Sequence, residues 1–242
     1  MNKYIYVLFG IIIPLIGTSI GSSFVFFIKK NINNKIEKFL IGFASGVMIS
    51  ASFFSLLIPA LELSSNNKIV WLPASIGFSL GFAFLIFINK YTKNSDMLSF
   101  SVTLHNVPEG MAVGVAFASF LSGSSISLIE AFVLSIGIAI QNIPEGSIIS
   151  LPHRMKGYNK RVSFFKGFMS GIVEPIASII TIFLINLVVP LLPYFLSFAS
   201  GAMIYVVIDE LVLELHDEKN SFGIIGVLFG FILMMILDVA LS

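Results

Sequence analysis

Two hexapeptides of nearly the same sequence carry the polar chemistry of this chain. Residues 105–110 read His-Asn-Val-Pro-Glu-Gly, and residues 141–146 read Gln-Asn-Ile-Pro-Glu-Gly. Each lies in strongly apolar sequence, where polar groups are expensive and mark function. Residues three and four apart share one face of a helix, so each hexapeptide presents a polar edge. The two edges consist of His105, Asn106 and Glu109, and of Gln141, Asn142 and Glu145.

These side chains suit a metal ion. Imidazole, carboxylate and amide groups bind divalent first-row metals such as zinc, iron or manganese, and the chain has no cysteine to add a thiolate. No lysine or arginine is near Glu109 or Glu145 in sequence, so two carboxylates at one depth need cations or protons between them. Kinking by proline and bridging by asparagine would not explain the paired glutamates. Because the ligands must be deprotonated, metal occupancy should fall in acid.

The spacing of the hexapeptides predicts that they meet. A short polar segment, residues 122–125, joins the two helices, which therefore run antiparallel as neighbours. His105 and Glu145 are equally far from residue 125, and so are Glu109 and Gln141. Residues equally far from such a turn lie at one depth, so the two polar edges should face each other.

The prolines and glycines of the hexapeptides fit the same site. Pro108 and Pro144 each remove a helical hydrogen bond and free a backbone carbonyl. Gly110 and Gly146 allow close helix approach. Broken or kinked helices near the substrate are a recurring feature of transporters.

Further acidic residues lie at related depths. Glu174, followed by a proline in the sixth helix, is interpreted as a third carboxylate of the same centre. Asp209 and Glu210, near the inner end of the seventh helix, fit either a release step or interfacial charges. Met48 is a candidate for the transport path, against the alternative that it only packs.

Four other polar residues receive no part in the predicted centre. Glu62 and Glu130 are interpreted as charges at the outer interface, although Glu62 could collect cations. His153 is expected in a cytoplasmic loop. Asp238, near the C-terminus, is given no role.

The composition predicts the elements that position these residues. The chain has 242 residues, of which 57% are hydrophobic and 11% charged, whereas soluble proteins carry about 25% charged residues. It is therefore predicted to be a single-domain, all-α polytopic membrane protein over residues 1–242, and its net charge of +1 gives no reason to expect a nucleic-acid partner. A span needs about 20 mostly apolar residues. Eight are predicted, at about 4–28, 39–61, 70–89, 98–120, 126–151, 164–188, 191–213 and 222–241.

Basic residues predict the orientation, because cytoplasmic loops are enriched in Lys and Arg. Of the 14 Lys and Arg residues, all but Lys3 and Lys68 fall in or beside the loops after the odd-numbered helices. Those loops should face the cytoplasm, with both termini outside.

The motifs resemble those of the ZIP (Zrt/Irt-like protein) family of divalent metal transporters, in its compact bacterial GufA-like branch. The paired hexapeptides look like the family signature, and three further segments are similar over nearly the whole chain. These are Val173-Glu174-Pro175, residues 44–60 in helix two and residues 201–211 in helix seven.

The resemblance implies a ZIP-like bundle and a two-metal centre between helices four, five and six. One site would use His105, Glu109, Gln141 and Glu145. The other would use Asn106, Glu109, Asn142, Glu145 and Glu174. It further implies a homodimer and an elevator-like movement, in which helices one, four, five and six carry the metal against helices two, three, seven and eight.

The expected function is uptake of a divalent metal through a bacterial cytoplasmic (inner) membrane. Zinc is the first candidate cargo, with Fe²⁺, Mn²⁺ and Cd²⁺ as further ones, and no enzyme activity or resident cofactor is expected. The alternative is a proton- or sodium-coupled transporter of a small organic solute that uses the same carboxylates. An intramembrane metalloprotease is disfavoured, because the sequence has no His-Glu-x-x-His motif.

Overall fold

The computed structural model describes residues 3–28, 33–65, 67–91, 96–123, 126–215 and 221–241. Helices are the only regular elements in these ranges, which confirms the all-α fold. Two π-helical segments, Ser52–Leu57 and Val207–Leu211, and a 3₁₀ turn, Phe24–Phe26, interrupt them. The α-helices are α1 Lys3–Ser23, α2 Asn34–Ala51, α3 Ile58–Leu63, α4 Trp71–Tyr91, α5 Met97–Ser122, α6 Leu128–Met155, α7 Lys160–Gly171, α8 Val173–Phe183, α9 Ile185–Val206, α10 Val212–Leu215 and α11 Phe222–Leu241.

Seven helical stretches among the described residues are long and apolar enough to cross a membrane. They are Lys3–Phe26, Asn34–Leu63, Trp71–Tyr91, Leu128–Met155, Lys160–Phe183, Ile185–Asp209 and Phe222–Ala240. Helix α5, which corresponds to the predicted fourth span, has 26 residues. Its length suffices for a span, but its own His105, Asn106 and Glu109 lower its apolarity. The count of eight spans and the sidedness of the termini stay predictions.

The helices pack as two bundles. In the first bundle, formed by α1, α5, α6, α7 and α8, α1 packs along α6 and α5 packs along α8. In the second bundle, formed by α2–α4 and α9–α11, α2 packs along α11 and α4 along α9. The bundles meet where α5 contacts α9 and where α6 contacts α2 and α11. This packing groups the helices as the family resemblance implies.

The break between the predicted sixth and seventh spans lies earlier than the sequence suggested. The predicted boundary fell at 188–191, beside Pro190 and Pro193, whereas the structure ends α8 at Phe183 and starts α9 at Ile185. Leu184, with φ −114° and ψ 29°, leaves helical geometry between them. Both prolines lie inside α9, which is tolerated in spanning helices because neighbouring groups satisfy the freed carbonyls.

The turn between α5 and α6 follows from local sequence. Gly123 ends α5 in the left-handed region, with φ 73°, a conformation that glycine adopts without steric cost. Ser127 caps α6, and Glu130 completes a reciprocal capping box. Glu130 is thus a capping residue rather than only an interfacial charge. The short connection makes α5 and α6 antiparallel neighbours, as predicted.

Candidate metal centre

Side chains from the two hexapeptides converge inside the first bundle. His105 Nε2 lies 3.0 Å from Glu145 Oε1 and 3.2 Å from Glu109 Oε1. One ligand atom from each of the three lies within 4.8 Å of the others, and all three side chains are buried. Zinc binds nitrogen and oxygen at about 2.0–2.2 Å. The distances of 3.0 and 3.2 Å between His105 and the two glutamates are of the size expected between two ligands of one such ion. The prediction that the two polar edges meet is confirmed.

Close packing of the hexapeptide glycines brings α1 and α8 against this site. A Cβ added at Gly110 would lie 2.3 Å from the carbonyl oxygen of Glu174, and one at Gly146 would lie 2.1 Å from that of Thr18. Neither helix could stay at its present distance if these residues carried side chains. The predicted role of Gly110 and Gly146 in close helix approach is confirmed.

Several ligand atoms at the convergence have no donor within the protein. Apart from the contact with His105, no described residue donates to either oxygen of Glu109, and the same holds for Glu145 Oε2. His105 Nδ1 is also buried without a partner there. Buried polar atoms are normally hydrogen-bonded, and an unpaired buried carboxylate is costly. A cation between Glu109 and Glu145 would remove that cost.

Glu174 is fully buried beside the same helices but differs in its contacts. Its Oε1 accepts a hydrogen bond from Thr18 Oγ1 at 3.0 Å, and its Oε2 accepts one from Asn142 Nδ2 at 2.9 Å. Asn106 Nδ2 donates to the carbonyl of Ser170 at 3.0 Å. The amide oxygens of Asn106 and Asn142 are buried without donors among the described residues, so each is able to accept or to bind a cation.

Sequence reasoning missed Asp238, which the structure brings to the predicted ligand Gln141. Gln141 Nε2 donates to Asp238 Oδ1 at 2.6 Å, and Ser55 Oγ donates to the same oxygen at 2.5 Å. Asp238 lies in α11 and is only 3% exposed. The signal was present in the sequence, because a carboxylate inside an apolar span marks function by default.

A cavity of about 530 Å³ leads to these residues. Glu109, Gln141 and Asp238 line it, and it extends to Glu62 and Ile126. Ile126 lies beside the turn between α5 and α6, which is predicted to be outside. The cavity therefore joins the candidate centre to the predicted outer side.

The remaining path candidates have contacts of other kinds. Met48 is buried in the apolar core that includes residues of α2, α9 and α11. Asp209, in the second π-helical segment, accepts a hydrogen bond from Asn89 Nδ2 at 2.8 Å. The side chain of Glu210 lies outside the described part of the chain.

The prediction that His153 lies in a loop was wrong, because α6 continues through Pro152 to Met155. His153 is buried, and its Nε2 lies 2.6 Å from Asp96 Oδ2. Asp96 also caps α5 through Ser99 and pairs with Lys166 of α7 at 3.1 Å. Burial opposes ionisation of Asp96, but hydrogen bonds from His153 and Ser99, with the nearby positive charges, hold its pKa well below the ordinary value. This cluster ties the predicted inner ends of three helices together.

Comparison with known proteins agrees with the geometry. The profile described as ZIP zinc transporter matches residues 94–238, more than half of the chain. Zinc transporter ZIP11 of Xenopus tropicalis is 31% identical, over 93% of this chain and 94% of that protein. Zinc transporter GufA of Myxococcus xanthus is 31% identical over 94% and 96%, and zinc transporter ZupT of Streptococcus mutans is 28% identical over 98% of both. With its paired hexapeptides, its buried His–Glu–Glu group and these whole-length matches, the chain belongs to the ZIP zinc transporter family.

Proposed function

We propose that this protein carries divalent metal cations, zinc first, across the cytoplasmic membrane into the cell. The observation that carries the proposal is the buried convergence of His105, Glu109 and Glu145 within 4.8 Å. Relatives that match nearly the whole chain are named zinc transporters, which supports the choice of cargo. The ligand types also suit Fe²⁺, Mn²⁺ and Cd²⁺.

In this proposal the cavity is the way in. A hydrated cation passes Glu62 at the outer end and exchanges water for the nitrogen of His105 and the oxygens of Glu109 and Glu145. Its charge offsets the burial cost of the two carboxylates, which the protein's own donors leave largely unsatisfied. The cation then leaves inward, past the end of the seventh helix that carries Asp209. Both termini stay outside.

A second ion position would share Glu109 and Glu145 with the first. Asn106, Asn142 and Glu174 supply its remaining ligands. Glu174 already accepts hydrogen bonds from Thr18 and Asn142, so an ion there must displace existing bonds. We therefore propose that this position binds metal more weakly than the one at His105.

The size of the cavity favours one competing function. Its volume of about 530 Å³ falls in the range of about 300–1,000 Å³ that admits organic ligands, so a proton- or sodium-coupled transporter of a small organic solute is the second candidate. The buried ligand group favours the metal. Excess zinc or cadmium should compete with the cargo in the first case and leave solute transport unaffected in the second.

The test is radiozinc flux into proteoliposomes that contain the purified protein, with a panel of competing cations and an imposed pH gradient. Glu145→Gln and Glu109→Ala should abolish saturable uptake. Glu130→Gln is the matched control for Glu145→Gln. It removes a charge from the same helix, and glutamine also completes a capping box, so this variant should transport normally. Normal zinc uptake by folded Glu145→Gln protein would contradict the proposal.

A further inference from the structure

We infer that Asp238 is a positioning residue for the Gln141 ligand and thereby sets how tightly the centre holds its metal. The inference rests on the proposed function, because it takes Gln141 to bind the transported ion. Asp238 would not touch the metal. It would act by holding the amide of Gln141 in the orientation that presents its carbonyl oxygen to the metal.

The chemistry of the two groups fixes that orientation. An ionised carboxylate only accepts hydrogen bonds, whereas the amide group of glutamine has one donor end and one acceptor end. The contact of 2.6 Å between Asp238 Oδ1 and Gln141 therefore requires the amide nitrogen at Asp238. The only ligand atom left on Gln141 is its carbonyl oxygen, which is the end that a divalent cation binds. Without Asp238 the amide could turn its nitrogen towards the cation.

Asp238 is itself held in place. Ser55 Oγ donates to the same Oδ1 at 2.5 Å, from the π-helical segment Ser52–Leu57. Segments of this kind are frequent at functional sites because they shift which side chains share a face. Asp238 is 3% exposed, so the protein covers nearly all of its surface although it lines the cavity. Ser55 and Gln141 thus both donate to the same oxygen of Asp238.

The bond also joins the two bundles. Gln141 belongs to α6 of the first bundle, whereas Asp238 belongs to α11 of the second. Among the side-chain hydrogen bonds between described residues, this is the one that crosses from bundle to bundle. Gln141 is therefore held only while the bundles keep this arrangement. Separation of the bundles at this point would free the amide and lower the affinity of the centre.

The first experiment measures the dependence of radiozinc uptake on zinc concentration for two variants of the full chain. Loss of an outer partner of a metal ligand typically costs about 10–100-fold in affinity, so Asp238→Ala should raise KM by that factor. Asp238→Asn loses the charge but keeps an acceptor oxygen for Gln141, and its KM should lie between those of the parent and Asp238→Ala. If Asp238→Asn is as impaired as Asp238→Ala, the negative charge rather than the hydrogen bond matters, and the inference is wrong.

The second experiment asks whether Asp238 acts through Gln141. If it does, Asp238→Ala should change KM little in a Gln141→Ala background, because the ligand that it positions is already gone. Independent, multiplying effects of the two substitutions would overturn the inference. Thermal unfolding of each variant, with Glu130→Gln as the control, shows whether any loss reflects unfolded protein.

These outcomes separate the inference from the proposed function. If the parent protein moves no divalent cation, the proposed function fails. If the parent moves zinc and Glu145→Gln does not, but Asp238→Ala keeps the parental KM, only the positioning role of Asp238 fails.

Discussion

Replacing Gly146 with alanine should separate α1 from α6 and weaken the metal centre. The added Cβ would lie 2.1 Å from the carbonyl oxygen of Thr18 and 2.9 Å from the backbone nitrogen of Ser22, whereas ordinary contacts begin at 3.4 Å. Both obstacles are backbone atoms, so no side-chain rotation relieves the overlap. Helix α1 must move away by about 1.3 Å, the difference between 3.4 and 2.1 Å.

This displacement should reach the site through Thr18. The hydroxyl of Thr18 donates to Glu174 at 3.0 Å. A displacement of α1 by about 1.3 Å along this bond would stretch it beyond the length of a hydrogen bond. Overpacking typically destabilises by about 1–3 kcal/mol. Glu145 directly precedes Gly146, so the same overlap should also displace this ligand from its position 3.0 Å from His105 and weaken metal binding there. We therefore expect Gly146→Ala to lower the unfolding temperature and to raise KM for zinc.

Gly223→Ala is the matched control. The nearest atom to its added Cβ is the end of the flexible Leu215 side chain, at 2.9 Å, and the next lies at 3.6 Å. Unfolding of both variants would be followed in detergent, and radiozinc uptake would be measured in proteoliposomes. If Gly146→Ala matches Gly223→Ala in unfolding temperature and KM, the reasoning from helix contact to metal affinity is refuted.

Three further predictions address charge. Asn142→Asp should lower the unfolding temperature without metal, because it replaces a donor to Glu174 with a second carboxylate, and it should enlarge the stabilisation by added zinc. Asp96→Asn should cost roughly 1.5–3 kcal/mol near pH 7, as expected for hydrogen bonds to a charged group. Because folding lowers the pKa of Asp96, the ionised side chain stabilises the fold fully above its ordinary pKa of about 3.9. This stabilisation is lost as the pH falls below that value, so the unfolding temperatures of parent and variant should converge only in strong acid. Zinc uptake by the parent should fall as the outside medium is acidified, since carboxylate and imidazole ligands must be deprotonated; flux against pH measures this.

Much of the centre could be predicted because its information is local. The spacing within each hexapeptide places its polar residues on one helix face, and the short turn after α5 sets the depth at which the two faces meet. His105, Glu109 and Glu145 converge, as their spacing from this turn predicts. The same local signals predicted that Gly110 and Gly146 would lie at helix contacts.

What could not be predicted depends on which distant helices become neighbours. Asp238 is 97 residues from Gln141, and nothing in the local pattern shows that α11 packs beside α6. Thr18 likewise reaches Glu174 across 156 residues. His153 was predicted in a loop because a proline beside basic residues is typical of the end of a helix. In the structure α6 continues for a further turn, and the buried His153 pairs with Asp96.

The hydrogen bonds separate the three buried glutamates of the candidate centre into two kinds. Glu174 is balanced by the neutral donors Thr18 and Asn142, so its burial is supported without a cation. Glu109 and Glu145 share one imidazole and otherwise lack donors among the described residues, so a cation between them brings the larger gain. An acid at position 142 could not donate to Glu174 and would make a second cation necessary there. The amide at Asn142 therefore fits the proposed centre, in which one ion is bound firmly at His105 and a second one less firmly. Such a difference would let an ion be held for selection and still be released.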